Sequence, residues 1–246
     1  MVPIPEPHDK HSVPPLHLKA LDITHPGVQQ FFTGGISPAD RIRTACQKVL
    51  RQLYPSNDVE FEPPAVRSVT VHLHSFDGIA YTNGSEIDSL HKELHLSSDY
   101  IAGVDRHRIQ HEIDGILVHE LVHAFQWDGS KHGGGVPGGV IEGIADWVRL
   151  REDLGPPHWN EGGSRWDAGY QTTAYFLAWL SKKFKNDTFV PELNHALSNH
   201  GWDGGKHLKR LCQGERIEEL WETYTDELKK RKNEGGSHIP VPTHKP

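Results

Sequence analysis

The sequence has little of what marks several large classes of protein. Among its 246 residues are two cysteines, Cys46 and Cys212, so at most one bridge can form; a disulfide-stapled scaffold and a thiolate zinc cluster are both excluded. No apolar run approaches the roughly 18 residues that a membrane-spanning helix needs; the longest is the short patch at 175–180. Basic charge is scarce too: 26 Lys and Arg face 33 Asp and Glu, for a formal charge of −7, and the one basic cluster is the short run 229–232. Neither nucleic acid nor membrane is therefore expected as a partner. The opening MVPIPEPHDKHS lacks the continuous apolar segment of a secretory leader, so either a leader has been removed or there was none, and composition leaves the location open.

What is present suffices for a packed core. Hydrophobic residues make up 35% and aromatics 9%, too much for a disordered chain. The length is near the upper end of what one core serves. Proline-rich residues 1–15 and the stretch 234–246 read as extended tails flanking one domain over 16–233.

Within that domain, residues 16–23 suit a first strand. Ser37-Pro38-Ala39-Asp40 offers a cap, a proline at the first helical position and an acid three residues on, predicting a helix to Leu53. Val69, Val71 and Leu73 alternate with Ser68, Thr70, His72 and His74, as in a half-buried strand; His72 and His74 are read as solvated. Asn83-Gly84 suggests a turn, and residues 94–98 another strand. From 105 to 127 the period becomes helical, with Ile109, Ile113, Ile116, Leu117, Leu121 and Phe125 on one face. A glycine-rich link at 133–139 leads to a helix over 141–150, and further helices are expected at 168–184, 191–198 and 216–231. Strands early and helices late make an α+β chain.

His119-Glu120-Leu121-Val122-His123 is an HExxH motif inside the helix 105–127. The two His lie one turn apart on one face, where their imidazoles can share a metal with Glu120 set to the side. With 19 His in the chain, about one chain in ten of this composition would carry the motif by accident, so it needs support. His107 and His111 are a second such pair with Arg108 in place of the Glu, and are read as surface residues. Support comes from Glu142, which follows His123 after 18 intervening residues, on the next helix. Two imidazoles and a carboxylate form the ligand set of a catalytic zinc, with a fourth place left for water. Asp146, one turn past Glu142, can accept the outer N–H of a ligating His and fix its tautomer.

HExxH followed after 18 residues by Glu142-Gly143-Ile144-Ala145 is similar to the gluzincins, particularly the aminopeptidase N type. The Glu142 to Asp146 spacing resembles the ligand and orienting acid of thermolysin-like enzymes. Closer still, residues 77–82, 94–101, 115–127, 141–149 and 169–177 resemble the plant basic secretory protein family, metallopeptidases with fungal and bacterial relatives; this chain is most similar to the fungal type. The resemblance implies a zincin-like fold, with a mixed sheet and the metal helix in the first half and helices in the second. It also implies one Zn²⁺ per chain, on His119, His123 and Glu142, and a peptide or protein substrate. An acidic chain of pI about 6.2 departs from the family's name and its export, and the resemblance to the fungal type tilts the expected location toward the cytoplasm.

On this reading Glu120 is the general base and then the acid of peptide hydrolysis by an endopeptidase, expected as a monomer. Tyr170 is the candidate donor to the oxyanion because relatives carry a similar Gly-Tyr pair, with Tyr175 and His158 behind it. Residues 94–98 are expected at the sheet edge, pairing with an extended peptide, and Gln126 and Trp127 near the metal. A zinc-binding interaction or defence protein, a histidine-rich metal buffer and a non-peptidase zinc hydrolase are the alternatives. Neither of the first two needs Glu120. Whether Cys46 and Cys212 pair is not readable from the sequence.

Overall fold

Val69, Val71 and Leu73 are completely buried on one side of their strand, while His72 and His74 on the other side are half-buried. In the computed structural model, which describes residues 11–33, 35–55, 61–130 and 135–234, this strand is β2 (Ser68–His74). It pairs in parallel with β1 (Leu16–Ala20) and β4 (His91–Ser97), and β3 (Ala80–Gly84) runs antiparallel to β4. The order is β1-β2-β4-β3. Residues 94–98 are thus not the edge strand: β4 is flanked on both sides, and the edges among the described strands are β1 and β3, the latter ending at Asn83-Gly84, which reads as a turn in the sequence.

Helices α1 (Pro26–Phe32), α2 (Pro38–Leu53) and α3 (Ser98–Gly103) intersperse with the strands. From α4 (Ile109–Phe125) onward the described chain is helical, through α5 (Gly138–Arg151), α6 (Tyr170–Lys183), α7 (Phe189–His200), α8 (Lys206–Leu211) and α9 (Ile217–Asn233). The architecture is α+β with a small mixed sheet. Ser37 caps α2 as its sequence predicts, the hydroxyl accepting from Asp40 N at 3.1 Å. Helix α4 starts four residues later than the apolar period suggests, because Asp105 folds its carboxylate onto His107 N (2.8 Å) and makes a turn there. Cys46 and Cys212 are both buried and free, and burial pushes the Cys46 thiol up to about 12. No described helix is long and apolar enough to cross a membrane. Residues 1–10 and 235–246 of the expected tails lie outside the described residues, and Val13 packs against the core.

Two packing features place the site. The first is that α4 is buried on almost every side, with Ile113, Leu117, Val118, Leu121 and Val122 at most 1% exposed. A polar group on such a helix must find a partner or be costly. The second is the close approach of α5 and α6. A Cβ on Gly139 would fall 1.9 Å from Asp167 O, and one on Gly143 2.3 Å from Thr173 Cγ2. These two glycines let α6 lie against α5, and Gly169, at φ 93°, turns the chain so that Tyr170 starts α6 beside Glu142.

Candidate metal centre

His119 and His123, one turn apart on α4, point toward α5, where Glu142 and Asp146 are also one turn apart. His119 Nε2 lies 3.2 Å from His123 Nε2 and 3.2 Å from Glu142 Oε2; His123 Nε2 lies 3.6 Å from the same oxygen. Four tetrahedral ligands at zinc distances of 2.0–2.1 Å would be separated by about 3.3 Å. The three atoms therefore fit one small divalent ion.

The outer partners of the imidazoles support that fit. His119 Nδ1 is 2.6 Å from Asp146 Oδ1, and Asp146 is only 2% exposed. The ring donates there, which leaves its Nε2 with a lone pair facing the triad. His123 Nδ1 is 2.6 Å from the Gln126 amide, whose oxygen otherwise has no partner although buried. With the amide turned so that its oxygen accepts from Nδ1–H, His123 Nε2 also presents a lone pair. Two lone pairs and a carboxylate oxygen facing one another repel unless a cation or a proton lies between them.

In protein without a metal, that proton is held by His119. Burial alone pulls its pKa down, but its hydrogen bonds to Asp146 and Glu142 outweigh this and raise it to about 9 from 6.5. For Glu142 burial pushes the pKa up, and hydrogen bonds with His119 and His123 reverse it, holding the carboxyl at about 2. The signs give a pH dependence. Below 6.5 His119 is protonated folded or unfolded and its contribution is fully present; between 6.5 and about 9 only the folded state binds the proton, so stability is lost as pH rises. Glu142 stabilises above 4.5 and loses this as pH falls through about 2. Thermal melts in chelator are expected to show Tm falling from pH 6.5 to 9, with the slope reduced in His119→Asn; equal slopes would exclude this pairing.

Glu120, between the two His in sequence, faces β3. It is 6% exposed, and Thr82 Oγ1 donates to its Oε2 at 2.8 Å and is 3.1 Å from its backbone oxygen. Thr82 ends the resembling segment 77–82, but no role for it is readable there, because the Asn83-Gly84 turn signal hides its strand. Tyr170 stacks over the His119 ring, centroids 6.1 Å apart and planes 9° apart. It is 54% exposed, and the Glu142 charge, followed by burial, raises its phenol pKa. Its φ of 47° is unusual for a tyrosine. All these residues line one open cleft of about 1020 Å³. His158, Gln126 and Trp127 line it as well, whereas Tyr175 packs against the core. The end of α4 is clamped by Asn194, which accepts from Trp127 N (2.9 Å) and donates to the Tyr54 hydroxyl (3.0 Å), itself bonded to Phe125 O. Of the second expected pair, His107 precedes α4 and is exposed, and His111 bonds Asp153 O at 3.1 Å. Of the glycine-rich link, Gly133 and Gly134 lie outside the described residues.

One family model, BSP, described as peptidase of plants and bacteria, matches residues 13–224. No curated protein and no solved structure matches the chain.

Proposed function

The chain belongs to the BSP family, the peptidases of plants and bacteria, and on that premise we propose that it is a zinc-dependent endopeptidase of gluzincin type with a zincin-like fold. The observation that carries the proposal is the convergence of His119 Nε2, His123 Nε2 and Glu142 Oε2 within 3.6 Å of one another, with Glu120 beside them. His119, His123 and Glu142 would hold one Zn²⁺. When bound, the ion supplies Lewis acidity, polarising a carbonyl and bringing the pKa of its water to about 7.

The chain's own residues carry the rest. Glu120 takes the proton from the attacking water and passes it to the leaving amine. The Thr82 hydroxyl, 2.8 Å from Oε2, fixes the carboxylate plane, so that Oε1 is the oxygen free to work. Tyr170 keeps its hydroxyl proton at neutral pH as phenols do, with the neighbouring Glu142 raising its pKa further, and it donates to the developing oxyanion. Asp146 and Gln126 hold the two imidazoles in the required tautomers. The free edge of β3 borders the cleft and offers backbone groups for an extended peptide to pair with.

A protein that only binds metal has no use for Glu120, yet this carboxylate is buried and held by Thr82. Digestion of a peptide library by the purified protein is expected to be lost on chelation and restored by one equivalent of Zn²⁺. Cleavage that survives complete metal removal would overturn the proposal.

A further inference from the structure

The outer face of the sheet carries a second cluster of side chains of the types that can hold a metal ion, His72, Glu93 and His95. Thr82 contacts α4, and its neighbour Tyr81 therefore points to the opposite face. Register places Lys19 beside His72, His72 beside His95, and His95 beside Tyr81, a row across all four strands. The His72 and His95 rings stack with centroids 4.6 Å apart. Tyr81 stacks on His95 at 4.4 Å and 7°, and since β4 lies between β2 and β3 the three rings form a pile. Glu93, two residues before His95 and on the same face, brings Oε2 to 3.9 Å from His95 Nε2.

These histidines are not ordinary solvated surface groups. His72 Nε2 is buried and has no hydrogen-bond partner among the described residues, an arrangement that a protein interior normally avoids. His95 Nδ1 is 3.0 Å from His74 Nε2. With Nδ1 protonated and donating to His74, His95 turns a lone pair on Nε2 toward Glu93. Burial is the leading cause that lowers the pKa of both His72 and His95, so both rings are neutral near pH 7 and able to ligate. One donor atom from each of His72, Glu93 and His95 lies within 4.8 Å of the other two.

We propose that His72, Glu93 and His95 bind one divalent ion of the zinc, copper or nickel class, with His74 orienting His95. Two imidazoles and a single carboxylate suit these borderline ions; calcium and magnesium ask for oxygen ligands throughout. The donors stand wider apart than the roughly 3.3 Å of a closed tetrahedral set, and Lys19 beside His72 repels a cation. Binding is therefore weaker than at the His119 centre. The His72 and His95 planes are 14° apart, so their in-plane lone pairs lie side by side, and closing the set requires a ring to turn out of the stack and the Glu93 side chain, 30% exposed, to swing inward. The site is independent of the peptidase reading.

The test is calorimetric titration of Zn²⁺ into stripped protein, read as two classes of site. The weaker class is expected to vanish in His72→Asn and in His95→Asn, and to loosen by about 10- to 100-fold in His74→Ala. It should tighten in Lys19→Gln and survive in Glu142→Gln, which removes only the tight class. Glu93→Gln, at a partly exposed position, serves as the variant least able to disturb folding and should also lose the weaker class. A wild-type protein without that class, or one whose weaker class persists in His72→Asn, His95→Asn and Glu93→Gln, overturns the proposal. Failure of the tight class alone would count against the zinc peptidase and leave this site standing.

Discussion

Glu120→Gln is expected to lower kcat/KM for peptide cleavage by about 10²- to 10⁴-fold, the usual contribution of a positioned general base. At about 1.36 kcal/mol per tenfold, this is roughly 2.7 to 5.4 kcal/mol of barrier. The amide has nearly the carboxylate's shape and can still accept from Thr82 Oγ1, which lies 2.8 Å from Oε2, so packing around a residue only 6% exposed should hold. Zinc content should not change, because Glu120 contributes no atom to the cluster of His119, His123 and Glu142. Full zinc with lost cleavage is the expected pair of results. Equal cleavage by variant and wild type would remove Glu120 as the base.

Glu142→Gln is expected to act on the other half of the site. It replaces the one anionic donor of the set by a neutral amide, so the tight zinc equivalent should be lost, with an affinity drop beyond the roughly 10- to 100-fold that removal of an outer hydrogen-bond partner costs. Cleavage should fall with it and recover in part in excess zinc. The side chain is 29% exposed, so the chain should still fold, and a cooperative melt in chelator, at a temperature lowered by the lost pairing with His119 and His123, would separate metal loss from unfolding. Retention of stoichiometric tight zinc in this variant would place the ion elsewhere.

How far the sequence could be read depends on the length and context of each segment. Helix α2 was legible because its cap, its proline and its acid all act locally, and the structure places the Ser37 hydroxyl on Asp40 N. Helix α5 is legible through its apolar positions, although its glycines serve packing against α6 in a way that no local signal predicts. The short elements α1, α3 and α8 run for six or seven residues, too few to show a period. Helix α1 is capped by His25, whose Nδ1 accepts from Gly27 N at 3.2 Å, and histidine is not among the usual cap signals. Strand β3 was hidden because Asn83-Gly84 ends it and looks like a turn.

The site divides in the same way. The His119, Glu120 and His123 spacing follows from one helix, and the spacing of Glu142 from Asp146 follows from another; both could be read in sequence. Contacts between distant elements could not. Thr82 meets Glu120 across 38 positions of chain. The pairing of His72 with His95 requires the strand order and register, so His72 and His74, solvated on a reading of the sequence alone, are half-buried against the His95 ring. Gln126 was expected near the metal, but its bond to the His123 ring depends on how α4 ends.

The most direct test of the account is a crystal of the protein grown with one equivalent of zinc and measured at the zinc absorption edge. The strongest anomalous peak is expected about 2.0–2.1 Å from His119 Nε2 and His123 Nε2, with a Glu142 oxygen completing the trio. A zinc ion bound elsewhere while this position stays without signal, or a Glu142 carboxylate turned out of reach, would contradict it.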